Sequence, residues 1–361
     1  MNSPSETAFV TQLVAAPIEI SDSARLVDAP VVSVLMLAYN HEAYLHQAIE
    51  GALQQQTDFP FEIVIGEDCS QDRTRAVALH YQEKYPERLR IVYAERNVGA
   101  MENLMRVMRL CRGSIIAICE GDDYWIDPHK LAQQVRILNE RPKVGIVFHS
   151  TWFSFDEKEA LEGPYVAWHG DKWFGPREVI LGGGGFMPTP SIVFRKEAMR
   201  RMPPGLLKDA PMADFPIQIY AAAGGGAYYI DKPMSVYRRG HPQSWNYTMK
   251  NVERVRDFES RANRVVLEMA ASLPQYADAF RDYLFRHHLN ELLFYHYRND
   301  AARIDIYAQI LERNASRFAW HQRLVTRMAR KRALMLPAYL VQRLVKETRT
   351  RINRKKYLAY V

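Results

Sequence analysis

From residue 31 onward, short apolar runs alternate with stretches that carry apolar residues at helical spacing. The runs fall at 32–38, 61–66, 89–94, 114–119 and 144–148, and the helical patterns between them at 42–55, 72–84, 100–111 and 128–140. A run that is apolar at nearly every position is a strand covered on both faces. Its alternation with helices specifies a mostly parallel, doubly wound α/β sheet. Helix starts are marked by Ser70 or Asp72 ahead of the second pattern and by Asp127-Pro128 ahead of the fourth. There a side-chain oxygen takes an unpaired N–H, and a proline in the first turn sacrifices no hydrogen bond. Such sheets bind ligands beyond the carboxyl ends of their strands, so the residues that directly follow each run are the candidates for chemistry.

Beyond residue 150 the pattern loosens. Residues 151–249 are rich in aromatics, with short strands expected at 191–195, 227–231 and 234–238. From 250 the pattern turns helical, interrupted by Pro274 and Pro337, with no repeat of solenoid length. Residues 1–30 show no clear period and read as a loosely ordered lead-in.

Composition narrows the classes. With 361 residues, 48% of them hydrophobic, the chain can bury a substantial core. Cys69, Cys111 and Cys119 are odd in number and widely spaced, which indicates no disulfide framework and fits a reducing cytoplasm. No run approaches the roughly 20 apolar residues that span a bilayer. Residues 1–30 also lack the basic start and apolar stretch of a secretory signal, so the expectation is a cytoplasmic chain. The net charge of +7 is unevenly placed. Residues 321–361 hold twelve Lys or Arg against the single acid Glu347, leaving the rest mildly acidic. That asymmetry points to an anionic surface met by the tail and argues against nucleic acid met by the whole protein. Trp320, Leu324, Val325, Met328, Leu336 and Leu340 lie among those basic residues, a mixture expected of helices in a membrane interface. An apolar stripe packed on the rest of the chain fits the same pattern.

The first run is followed by Ala38-Tyr39-Asn40-His41, the second by Glu67-Asp68-Cys69-Ser70, and the fourth by Glu120-Gly121-Asp122-Asp123-Tyr124-Trp125. Carboxylates gathered on one rim repel one another unless a cation joins them. Glu120, Asp122 and Asp123 offer hard oxygen ligands suited to Mg²⁺ or Mn²⁺, an ion that also bridges a diphosphate. An acidic turn capping the next helix is the structural alternative. The glycine run at 182–185 lacks the Lys-Ser/Thr ending of a phosphate loop. A dinucleotide enzyme would show Gly-x-Gly-x-x-Gly after the first strand, where this chain has Tyr39-Asn40-His41.

Taken in order, 32–40, 62–74, Asn97-Val98-Gly99 with Asn103, and 120–125 resemble the family 2 glycosyltransferases of the GT-A fold. The resemblance covers about 31–245, and four ordered motifs are far more specific than any one of them. It implies a GT-A catalytic domain at 31–249, with a nucleotide-binding half at 31–150 and an acceptor half at 151–249, followed by a helical basic extension at 250–361. Position by position, it implies that Ala38 and Tyr39 cradle the nucleotide and that Glu67 and Asp68 face base and ribose. Asn97, Gly99 and Asn103 complete the donor pocket, and Glu120, Gly121, Asp122 and Asp123 bind metal and diphosphate. Arg238 and His241, within 237–245, close over the diphosphate or complete the metal shell. Asp214 stands where the family has its catalytic carboxylate, positioned to take a proton from an acceptor hydroxyl and invert the anomeric centre. Two departures stand out. Glu67 and Glu120 replace the usual Asp, and Ala213-Asp214 replaces the usual Glu-Asp. The implied partners are a nucleoside-diphosphate sugar, UDP most often, and a glycan or lipid-linked acceptor. A nucleotidyltransferase, or a sugar-binding protein that kept the fold without turnover, are the alternatives.

Overall fold

The computed structural model describes residues 17–155, 158–240 and 249–328. Its strands are β1 (Ile18–Ile20), β2 (Val32–Ala38), β3 (Phe61–Glu67), β4 (Leu89–Tyr93), β5 (Ile115–Ile118), β6 (Tyr124–Trp125), β7 (Ile146–Phe155), β8 (Lys158–Tyr165), β9 (Lys172–Phe174), β10 (Val193–Arg195) and β11 (Ala227–Arg239). The helices are α1 (Leu45–Leu53), α2 (Thr74–Lys84), α3 (Ala100–Leu110), α4 (Lys130–Glu140), α5 (Pro176–Gly182), α6 (Leu206–Asp209), α7 (Asp214–Ala222), α8 (Val252–Ser272), α9 (Ala277–Arg298), α10 (Ala301–Asn314) and α11 (Trp320–Met328).

All strands join one sheet in the order β1-β4-β3-β2-β5-β10-β7-β11-β6, with β8 on β7 and β9 on β11. Strands β4, β3, β2 and β5 run parallel, as do β7 and β11. Strand β10 is inserted antiparallel between β5 and β7, so the mostly parallel sheet is mixed in its second half. The parallel nucleus follows from its sequence. Every residue of β3 and β5 is buried and only Leu37 of β2 is not, because helices cover both faces. Leu45, Ala48, Ile49 and Ala52 of α1 recur at helical spacing and join Val34, Met36, Ile63 and Ile65 in the core.

Three expectations change. Ile18–Ile20, inside the supposedly loose lead-in, pairs antiparallel with β4 as an edge strand. Strand β7 runs on to Phe155, since its polar residues find partners across the sheet: Ser150 with Tyr229, and Thr151 with Ser235. The two short strands expected at 227–231 and 234–238 are one strand, β11, with register shifts on either side of Pro233, which has no N–H to give the ladder.

The described residues divide into two compact units, one holding 17–240 apart from 180–183, the other holding 180–183 and 249–328. In the second unit two helices start on side-chain caps. The Asn251 side chain accepts from the amides of Glu253 and Arg254 to start α8, and Asp300 accepts from Arg303 to start α10. Helix α8 stops at Ser272, ahead of Pro274. Pro337 lies outside the described residues.

Candidate active site

At the carboxyl end of β2 the backbone turns through Asn40 in a left-handed conformation. The Asn40 amide donates to Ser70 Oγ, the Gln71 amide to Asn40 Oδ1, and the His41 amide to Thr74 Oγ1. These bonds fix the loop after β2 to the loop after β3, with Ala38 buried beneath and Tyr39 half-buried beside it. Glu67, fully buried at the end of β3, accepts from the Ser70 amide at 2.6 Å and pairs with Arg75 at 2.6 Å. Asp68 spends both oxygens on the next loop, accepting from the amides of Val98 at 2.8 Å and Gly99 at 2.9 Å. Asn97 donates back to the Asp68 carbonyl, and buried Asn103 donates to the Gly66 carbonyl. Glu67 and Asp68 thus hold the walls of the rim in place.

The turn after β5 sits directly on this rim. The Gly121 amide donates to the Leu37 carbonyl at 2.8 Å. A Cβ at Gly121 would stand 2.9 Å from His41 Nδ1 and 3.0 Å from the Leu37 oxygen, so only glycine lets the acidic turn approach β2 this closely. Asp123 is fully buried. Its Oδ1 accepts from the Arg238 amide at 2.9 Å, while its Oδ2 is buried with no partner among the described residues. Arg238 works as a clamp: its guanidinium donates to the Asp122 carbonyl and to Gln47, and lies over the rings of Tyr44 and Tyr124.

Asp214 opens α7, with Thr189 donating to its Oδ2 at 2.9 Å. It lies near enough to Glu120 for its charge to act there. Burial, then Asp214 and Asp122, push Glu120 well above the ordinary carboxylate range. Burial, then Asp122 and Glu120, do the same to Asp123, against the pull of Arg238. Asp214 is raised by burial, with the Thr189 hydrogen bond opposing. The Tyr237 phenol is raised by burial and by Asp123, Glu120 and Asp214, which places it at the same centre.

One ligand oxygen each from Glu120, Asp122 and Asp123 lies within 4.8 Å of the others. Three mutually repelling carboxyls and an orphaned buried oxygen fit a hard divalent cation, which takes oxygen ligands and relieves both penalties.

The structure therefore brings Glu120, Gly121, Asp122, Asp123, Asp214 and Arg238 together, next to Ala38. It sets Glu67, Asp68, Asn97, Gly99 and Asn103 in the adjoining hydrogen-bonded rim beside Tyr39. His241 lies outside the described residues. Sequence reasoning missed Thr189, Gln47 and Tyr44. Nothing in the sequence marks the last two, which meet Arg238 only through the fold. Thr189 sits in a Thr-Pro-Ser turn that reads as a loop.

The "Glycosyl transferase family 2" sequence profile matches residues 33–202. An uncharacterized protein of Mycobacterium tuberculosis is 30% identical over 249 residues, 67% of this chain and 68% of its own length. A Bacillus subtilis protein provisionally named as a teichuronic acid biosynthesis glycosyltransferase, TuaG, is 34% identical over 112 residues, 31% of this chain and 43% of its own. Among solved structures, S. aureus TarS in complex with UDP-GlcNAc superposes with a TM-score of 0.58 at 16% identity, covering 85% of this chain and 89% of that one.

Proposed function

This chain belongs to glycosyl transferase family 2 and is a transferase; from that membership we propose an inverting enzyme that moves a sugar from a UDP-sugar onto a glycan or lipid-linked acceptor. The meeting of Asp214 with the acids of the 120–123 turn carries the reading, because it sets a proton acceptor beside the place where a diphosphate would be held. The UDP assignment draws support from the TarS complex with UDP-GlcNAc, and a part in cell-surface polysaccharide synthesis from the name of TuaG.

In this reading Asp122 and Asp123, with Glu120, hold Mg²⁺ or Mn²⁺. When bound, the ion supplies neutralisation of the charge that develops on the departing diphosphate. Asp214 accepts the proton of the acceptor hydroxyl while that oxygen bonds to the anomeric carbon and the carbon–oxygen bond to the diphosphate breaks on the opposite face. Thr189 orients the Asp214 carboxylate. Ala38, Tyr39 and the Asn97–Gly99 loop line the nucleotide, and Glu67 and Asp68 act by fixing that loop and the turn at Ser70.

A peripheral place on the cytoplasmic face of a membrane is also part of the proposal. On α11, Trp320 is 73% exposed and Leu324 51% exposed beside Arg323 and Arg327, the mixture that partitions to anionic interfaces. Residues 329–361 of the basic tail lie outside the described residues. Among the described residues no helix is long and apolar enough to cross a membrane.

The test is release of nucleoside diphosphate by the purified chain from a panel of nucleotide sugars with Mn²⁺. A UDP-sugar is expected to be turned over, and excess chelator or Asp122→Asn to abolish the release. Undiminished turnover in chelator contradicts the metal-assisted reading.

A further inference from the structure

The helical unit holds a second cluster of ligating side chains, far in chemical character from the all-oxygen turn at 120–123. Glu259 on α8 and the adjacent His287 and His288 on α9 each offer one ligand atom, and these lie within 4.8 Å of one another. Glu259 and His288 are buried, at 3% and 1% exposure. His287 Nε2 stands 3.5 Å and His288 Nδ1 3.7 Å from Glu259 Oε2. Both separations are too long for good hydrogen bonds. Glu259 Oε2 and both ring nitrogens of His288 are accordingly buried without a hydrogen-bond partner among the described residues.

Glu259 Oε2 and His288 Nδ1, both shut away from water and 3.7 Å apart with no hydrogen bond, cost stability unless something joins them. Ligand atoms about 2.0–2.1 Å from a tetrahedral zinc stand roughly 3.3–3.4 Å from one another, so the observed 3.5 and 3.7 Å edges need only small adjustments. The surroundings are those of a supported ligand set. Tyr307 donates to Glu259 Oε1 at 3.0 Å, which fixes the carboxylate and leaves Oε2 toward the histidines. Tyr283 stacks on the His287 ring at 5.6 Å, holding its plane. His287 remains partly exposed, at 32% of its side chain, giving an ion a path in and leaving a coordination position for water.

We infer that Glu259, His287 and His288 form a binding site for a divalent transition ion of the zinc class, which ties α8 to α9. Two imidazoles and one carboxylate select such an ion over Mg²⁺, which prefers oxygen alone. This site is independent of the proposed donor chemistry.

The probe is Zn²⁺, supplied to chelator-stripped full-length chain in a large excess of Mg²⁺ that occupies hard oxygen sites, with bound zinc counted by mass spectrometry after desalting. The expected result is one retained equivalent in the wild type and in Asp122→Asn, and loss of most of it in Glu259→Gln and His288→Gln. His287→Gln, at the partly exposed ligand, reads the same loss should a buried substitution fail to fold. Zinc retained equally by wild type and His287→Gln, or not retained by the wild type, overturns the inference.

Discussion

Asp68→Ala offers a direct reading of what the rim does. The Asp68 carboxylate is 3% exposed and accepts two backbone hydrogen bonds, at 2.8 Å from Val98 and 2.9 Å from Gly99. Hydrogen bonds to a charged group contribute about 1.5–3 kcal/mol each. Val98 and Gly99 are themselves only half-buried, so their amides regain water when the loop opens, and the net loss falls to about 2–3 kcal/mol rather than twice the single-bond figure. At 1.36 kcal/mol per tenfold, that raises the open population of the loop roughly 30- to 150-fold. Hydrogen exchange at the Val98 and Gly99 amides should accelerate by that factor, while amides of β2 and β3 keep their protection. If the loop lines the nucleotide, KM for the donor rises more than kcat falls. Exchange at Val98 and Gly99 left within a few-fold of wild type would refute the assignment of Asp68 as the anchor of this loop.

Other perturbations follow from the same structure. Gly66→Ala places a Cβ 2.5 Å from Val107 Cγ2 and 2.7 Å from Asn103 Oδ1, inside the seam between β3 and α3; overpacking of about 1–3 kcal/mol should lower the melting temperature, and an unchanged melt would contradict the packing described. Glu62→Gln breaks a buried centre in which Glu62 accepts from Ser33 and pairs with Arg90 and Arg112. Because Glu19 still pairs with Arg90, the loss in urea unfolding should be about 2–3 kcal/mol, below that for a fully orphaned buried ion. Despite burial, the hydrogen bonds from Ser33 and Arg112 hold the Glu62 carboxyl below its ordinary value. Its contribution is therefore complete above an unfolded pKa of about 4.3 and is lost as pH falls through the lower folded value. Acid unfolding of Glu62→Gln should be correspondingly shallower, and a profile identical to wild type would exclude this linkage.

The parallel half of the fold was legible because its physics is local. A strand buried on both faces must be apolar throughout, and 32–38, 61–67 and 115–118 are nearly so. Positions after those strands were legible for the same reason, since the winding of the sheet carries them to one rim. Partners across the fold were not. Ile18–Ile20 is too short to show a period, and only the β4 edge makes it a strand. His149, Ser150 and Thr151 lie beyond the apolar run that ends at 148, yet are buried in a strand. The motif containing Glu67 and Asp68 reads as acids that face a ligand, whereas Arg75 and the amides of Val98 and Gly99 occupy their oxygens. Which side chain meets which carboxylate depends on loops separated by about thirty residues, and spacing alone does not encode that.

In the proposed mechanism Asp214 and the 120–123 acids form a single centre with divided labour, one side taking a proton and the other holding the diphosphate. Donor binding and sugar transfer measured side by side in Asp214→Asn decide it. Donor affinity should stay within a few-fold of wild type, with transfer slowed by about 10²–10⁴-fold, the usual contribution of a positioned general base. Transfer at a near-normal rate by Asp214→Asn would contradict it.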